Sequence, residues 1–423
     1  MFIIKKIILA TMFCGVTSTW VLPSYADDLD TALRNDINTY VAKYSATEGN
    51  TAIQLSVLLP NEPAPRDYIA GKQMKENDVP ATTNMLLQWG SITKEFTSLL
   101  IFQYLNKNQI DPQQYLDKTL YDVLPEHFDT SDNAWPGVWK VVTIKQLMNM
   151  TSGIPEYIGL PGVDPYRVTD LASIVAPVAI YQNRRGCQVE FGCFPAGQGW
   201  NYSNTDYIIL GMLVEKLYGA NFSDVIQKQV LSVMQRVGNN VIYQTPYTAN
   251  TLQNMINGYS MGGWFPWFTF GQNVTNVNLN IAASAGALTG NTHALVETIH
   301  ALFHDQFLPH EQMQYFMNNG WIRRDTHQPI DINSDTAKKV CTNLLGLDCY
   351  GLGFLVTYDS TYGQMWEYPG GTMGYVTDYI WLPQENVVIG FSRNSGANVN
   401  NLLITFRAQI LQDVYHHLHA EKQ

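Results

Sequence analysis

Strand-forming segments stand near the two ends of this 423-residue chain, with a long loop-rich, helical stretch between them. Residues 51–59 and 68–71 read as two strands joined by a proline-containing turn. Strand patterns return only at 351–358, 374–382 and 386–392. Amphipathic helices flank both groups, at 29–44 and from about 400 to 419. Between them, from about 111 to 273, the clearest periodicities are helical, at 143–150, 206–218 and 221–237. This order predicts an α/β (α+β) body whose early and late strands share one sheet, with the helical stretch as an insertion. No repeat or long linker breaks the chain, so separable modules are not expected.

Lys5 and Lys6 precede an apolar run from residue 7 to about 21, and Ser24-Tyr25-Ala26 supplies small residues for cleavage before Asp27. The expectation is a removable signal peptide over 1–26 rather than an anchor, because the run is short and holds polar residues. One composite domain then covers 27–423, periplasmic or secreted, with no stable membrane span after cleavage. The chain has 25 basic and 36 acidic residues, a net charge of −11, so nucleic acid is excluded as a partner. Beyond the leader, the four remaining cysteines form close pairs, Cys187 with Cys193 and Cys341 with Cys349. Their spacing is too wide for a zinc knuckle and suits two local disulfides in an oxidising compartment. No metal or other cofactor is expected.

The residues that carry chemistry fall in three places. Ser91 and Lys94, in Gly90-Ser91-Ile92-Thr93-Lys94, lie three apart where a helix over 91–106 begins, so they share a face. A serine hydroxyl needs a base within hydrogen-bond reach, and a lysine stripped of water is such a base. Tyr202-Ser203-Asn204 follows about a hundred residues on. The third place is Tyr368-Pro369-Gly370-Gly371-Thr372-Met373-Gly374, where the glycines let the backbone approach a ligand closely.

The order S-x-x-K then Y-S-N resembles the class C β-lactamases, their D-alanyl-D-alanine carboxypeptidase relatives and related esterases. Residues 142–155, ending Thr151-Ser152-Gly153-Ile154-Pro155, resemble a further segment of that family. So do residues 282–288 and Tyr350-Gly351-Leu352-Gly353. The resemblance implies an antiparallel sheet flanked by helices, with an all-helical region packed beside it and the site at their junction. It implies Ser91 as nucleophile, Lys94 and Tyr202 as proton carriers, and Asn204 as the group that orients Lys94. The backbone N–H groups of Ser91 and Gly371 would form the oxyanion hole, with Gly370 and Thr372 lining the site.

One position departs from the family. Tyr368 stands where the family has the lysine or histidine of K-T-G or H-x-G, a cation that helps to hold a substrate carboxylate. The expected substrate is therefore a small molecule, peptide or ester, cleaved in carboxypeptidase-like or esterase-like fashion, with β-lactam turnover inefficient. A catalytically weak or inactive penicillin-binding-type protein on the same fold is the alternative. A Ser-His-Asp hydrolase is set aside on the reading that the chain lacks a G-x-S-x-G nucleophile elbow and that none of the nine histidines neighbours these motifs, and His300 and His304 read as a packed or solvated pair. The aromatic run at 264–270 is read first as a tucked loop or a partner contact, and second as the wall of an acyl pocket.

Overall fold

The computed structural model describes residues 25–129, 134–160, 163, 168–236, 241–243, 246–260, 262, 268–343, 348–397 and 399–420. The leader up to residue 24 and residues 264–267 of the aromatic run lie outside them.

The first helix, α1 (Tyr25–Glu48), leads into the hairpin β1 (Ala52–Leu58) and β2 (Arg66–Gly71). Then come the short β3 (Leu87–Gln88) and α2 (Thr93–Lys107). The middle of the chain is helical except for β4 (Val241–Tyr243), which pairs with β5 (Leu288–Gly290) and, through it, β3 in a small second sheet. The remaining strands are β6 (Ile322–Arg323), β7 (Cys349–Tyr350), β8 (Leu355–Asp359), β9 (Gly363–Glu367), β10 (Gly370–Gly371), β11 (Val376–Leu382) and β12 (Val387–Arg393).

The early and late strands join in one nine-stranded antiparallel sheet, in the order β2-β1-β12-β11-β9-β8-β7-β6, with β10 paired to β11. The first hairpin docks beside the last strand because β1 pairs with β12 from Ile53–Arg393 to Leu58–Val388. Alternation assigns each face. Val387, Ile389 and Phe391 of β12 and Ile53, Leu55 and Val57 of β1 bury against Leu33 and Ile37 of α1 and Ile410 and Val414 of the last helix, Arg407–His419. The opposite face carries Val388, Tyr379 and Trp381 and packs on α2, the helix Thr292–Phe303 and the helical middle. Arg393, buried at the end of β12, pairs with Glu48 and Tyr40 and ties α1 to the sheet.

Two strand expectations change. Residues 351–354 are not strand; Gly353 has φ +110° and turns the chain, so β8 begins at Leu355. The strand β9 was hidden by its Gly-Gln-Met-Trp-Glu composition. The final helix opens with a π-helical turn over Asn401–Phe406. Both cysteine pairs are bonded, with Cα atoms 5.3 Å apart for Cys187–Cys193 and 5.5 Å for Cys341–Cys349. Among the described residues, no helix is long and apolar enough to cross a membrane.

Candidate active site

Ser91 sits in a single 3₁₀ turn, Gly90–Ile92, that runs straight into α2. Its hydroxyl does not cap the helix. Instead, Lys94 Nζ lies 3.0 Å from Ser91 Oγ, and the Tyr202 hydroxyl donates to the same oxygen at 2.8 Å. The turn is pinned by threonines that the motif reading did not weigh. Thr93 Oγ1 donates to Gly90 O and accepts from Leu288 N, and Thr97 Oγ1 donates to Ser284 O. These bonds bring the 282–288 segment against α2, so that Ala285 O receives a hydrogen bond from Lys94 Nζ at 2.8 Å.

The third partner of Lys94 is Asn204 Oδ1, at 2.7 Å. Glu156, which follows the Thr151–Pro155 residues, sets the direction of that amide. Its Oε2 accepts from the Asn204 backbone N–H at 2.6 Å and from Asn204 Nδ2 at 3.0 Å, leaving Oδ1 to face the lysine. Glu156 Oε1 accepts from Ile158 N. The same segment clamps the Y-S-N residues from behind: Asn201 N donates to Met150 O and Thr205 Oγ1 to Pro155 O. The two motifs thus form one unit, built across about fifty residues of chain.

Electrostatics separates Lys94 from Tyr202. Lys94 is fully buried, and loss of water pulls its ammonium down to about 7, with the Glu156 carboxylate pulling the other way. Burial pushes the Tyr202 phenol up to about 12, held back by its hydrogen bonding with Ser91 and Tyr368 and by the Arg324 charge. Near neutral pH, then, a substantial fraction of Lys94 is a neutral amine, while Tyr202 is a phenol.

The third segment meets Ser91 backbone to backbone. Gly90 has φ +58°, and a Cβ built on it falls 2.8 Å from Gly371 N; one built on Gly370 falls 1.9 Å from Trp89 O and 3.1 Å from Ser91 N. Two glycines are therefore needed for the Ser91 and Gly371 amides to stand side by side. Gly371 itself faces open space. The Thr372 hydroxyl is buried without a hydrogen-bond partner.

Tyr368 is only 1% exposed, and its hydroxyl lies 2.7 Å from that of Tyr350. It belongs to a cluster of buried phenols with Tyr350 and Tyr207 behind Tyr202 and does not project into solvent. One residue of this wall was invisible to motif reading: Arg324, whose guanidinium carbon lies 3.8 Å above the Trp200 ring.

The setting aside of a Ser-His-Asp hydrolase overlooked a G-x-S-x-G run, Gly258-Tyr259-Ser260-Met261-Gly262. The run gives Ser260 no such role. Ser260 is 1% exposed, and its Oγ accepts from the Gly262 N–H. His300 and His304 stack on each other with ring centroids 3.9 Å apart, and His304 bonds Asn386. Of the aromatic run, Phe268 is buried and Phe270 exposed.

A family model described as Beta-lactamase matches residues 38–411. Penicillin-binding protein 4* of Bacillus subtilis is 23% identical over 305 residues, which cover 70% of this chain and 58% of that protein. The chain thus spans a little over half the length of this relative. Among solved structures, the D-amino acid amidase of Ochrobactrum anthropi SV3 complexed with L-phenylalanine amide shares the fold with a TM-score of 0.69. It is 20% identical, with 92% of this chain and 98% of that one covered. A D-stereospecific amidohydrolase from Streptomyces is similar at a TM-score of 0.63 and 18% identity, covering 90% of this chain and 97% of that one.

Proposed function

Because the chain belongs to the Beta-lactamase family, we propose that it is a secreted or periplasmic serine hydrolase that forms an acyl-enzyme at Ser91 on an amide or ester. The observation that carries this reading is the convergence of Lys94 Nζ, at 3.0 Å, and the Tyr202 hydroxyl, at 2.8 Å, on the single oxygen Ser91 Oγ. With Lys94 neutral, its two N–H bonds go to Asn204 Oδ1 and Ala285 O, and its lone pair faces the serine O–H.

Ser91 Oγ attacks the substrate carbonyl carbon while its proton passes to Lys94. The backbone N–H groups of Ser91 and Gly371 stabilise the oxyanion. Tyr202, still a phenol, gives its proton to the departing amine or alcohol, which leaves a phenolate beside the Lys94 ammonium. The ammonium lies 4.9 Å from the centre of the Tyr202 ring, close enough to stabilise that phenolate. In the second half, water attacks the acyl carbon and yields a proton to the phenolate. Ser91 Oγ departs with the proton held on Lys94, and the starting state returns.

The fold shared with a D-amino acid amidase and a D-stereospecific amidohydrolase supports amides, including those of D-amino acids, as the first substrates to assay. The test is a hydrolysis panel of D-amino acid amides, D-alanyl-D-alanine peptides, short-chain esters and nitrocefin, run on wild type and Ser91→Ala. At least one amide or ester is expected to turn over faster than nitrocefin, with a loss of about 10³-fold or more in Ser91→Ala. Absence of any Ser91-dependent turnover or adduct would leave a binding protein on the same fold.

A further inference from the structure

We propose that a hollow beside the end of β2, separate from the Ser91 cleft, is a binding site for a neutral saccharide. The proposal goes beyond the hydrolase reading and does not depend on Ser91 being active.

The first reason lies in the sequence. Charged residues make up 14% of the chain, yet no Asp, Glu, Lys or Arg stands between Arg236 and Glu297. Asparagine and glutamine are frequent in that stretch instead, and Gln253, Gln272, Asn273 and Asn276 are exposed without being charged. Charge is the ordinary way to keep a surface in solution. A long surface segment that uses carboxamides alone suits a partner that is polar and uncharged.

The fold gathers these carboxamides around one hollow of about 640 Å³, within the range of small-molecule sites. Gln73 and Met74, just past β2, form one side. The end of the helix Ala249–Gln253 and Asn257 form the next, and residues 268–277 close it. Backbone bonds hold this frame: Asn257 N donates to Gln73 O at 2.9 Å, Val274 N to Gly258 O at 2.9 Å, and Ser260 N to Gln272 O at 2.8 Å. Gly258 and Val274 also lie against Gly374 and Tyr375, just past the strand that carries Gly371. Ser91, Lys94, Tyr202 and Gly371 do not line the hollow.

Hydrogen-bond accounting shows what is left for a ligand. Gln73 Nε2 donates to Gln253 O at 3.0 Å and to Met255 O at 3.1 Å, which leaves Oε1 as an acceptor. Gln272 and Asn273 are turned the other way. Their oxygens accept from Thr269 and Thr275, which leaves their NH₂ groups as donors. The carboxamides of Gln253, Asn257 and Asn276 have no partner among the described residues. The charges that follow β2 are engaged elsewhere: Lys72 pairs with Asp78, Lys75 Nζ lies 4.0 Å over the Tyr259 ring, and Glu76 accepts from the Tyr259 hydroxyl. Met74, Leu252, Phe268 and Val277 supply apolar surface between the amides.

A carboxamide holds a donor and an acceptor side by side, as a pair of neighbouring hydroxyls does, and a sugar ring adds apolar C–H faces. An ion finds no counter-charge in this hollow, and a purely apolar ligand would leave its amides unpaired. A neutral monosaccharide or disaccharide satisfies both the amides and the apolar surface.

The test is a ligand-observed NMR titration with cellobiose, maltose and N,N′-diacetylchitobiose, and with N-acetylglycylglycinamide as a neutral peptide. It is run on wild type, Ser91→Ala and the double variant Asn257→Ala/Asn276→Ala. At least one disaccharide is expected to bind wild type and Ser91→Ala with the same Kd, and to bind the double variant about tenfold or more weakly. The proposal is overturned if no disaccharide binds wild type at up to about 10 mM, or if a folded double variant binds as wild type does. Loss of binding in Ser91→Ala would put the sugar in the catalytic cleft, and tighter binding of the peptide than of every disaccharide would assign the hollow to peptides; either result overturns it too. Thermal melting checks each fold. Where the double variant fails to fold, the exposed single changes Gln253→Ala and Asn276→Ala replace it, and unchanged binding in both overturns the proposal.

Discussion

The two walls of the Ser91 cleft are built on opposite terms. On the α2 side, Lys94 Nζ is bonded to Ser91, Asn204 and Ala285, while Glu156 accepts from Asn204 with one oxygen and from Ile158 with the other. On the far side, Arg324 Nε, Trp200 Nε1 and Thr372 Oγ1 are buried without hydrogen-bond partners. A closed polar network holds its geometry whether or not a ligand is bound, which suits proton transfer. An open set of donors is completed by what binds, which suits recognition. In this account the first wall sets the reaction and the second sets what undergoes it.

Breaking the junction of the two walls has the largest expected effect. Gly370→Val places a branched side chain on Trp89 O and Ser91 N. It is expected to cost about 1–3 kcal/mol of stability, read as a lower melting temperature. Among molecules that still fold, acylation of Ser91 falls by about 10²-fold or more as the Gly371 donor moves away. Gly371→Ala, whose Cβ meets open space, is the matched control and keeps the melting temperature near wild type.

A smaller change sharpens the closed wall. Glu156→Gln removes the negative charge that favours the Lys94 ammonium, so Lys94 becomes easier to deprotonate. Because the neutral amine is the base in the proposed mechanism, the rising limb of activity against pH is expected to move to lower pH. A steady-state pH profile measures it, with a plateau loss of less than about 10²-fold, since Lys94 and Tyr202 remain. A limb displaced to higher pH would assign the titration to another group.

The closed wall was largely legible in the chain. Ser91 and Lys94 are one helical turn apart, so a local periodicity puts them together, and Asn204 travels with Tyr202 in a single short motif. Glu156 was not read, although it directly follows Pro155 of a recognised segment. Its role arises only when residues 48 apart meet, which no local pattern encodes. Arg324 was harder still. It stands outside every motif, and its position depends on a strand end, an indole and the tyrosines of three separate segments. Tyr368 was legible as a departure at a known place, but its burial against Tyr350 follows from the successive pairing of β7, β8 and β9, and β9 gave no strand pattern of its own. The sheet shows the same division. Alternating β1, β11 and β12 were anticipated, while β9 takes its strand conformation from its neighbours β8 and β11 and not from its composition, and β4, though made of the strand formers Val241-Ile242-Tyr243, is too short to show a pattern.

The central claim is that Lys94, held near neutrality, activates Ser91. Its most direct test is the rate of fluorophosphonate acylation as a function of pH, with the adduct located by peptide mass spectrometry. The account predicts a single adduct on Ser91, formed at a rate that rises with pH through a limb centred near 7 and loses that limb in Lys94→Met. An adduct elsewhere, or a limb unchanged in Lys94→Met, would contradict it.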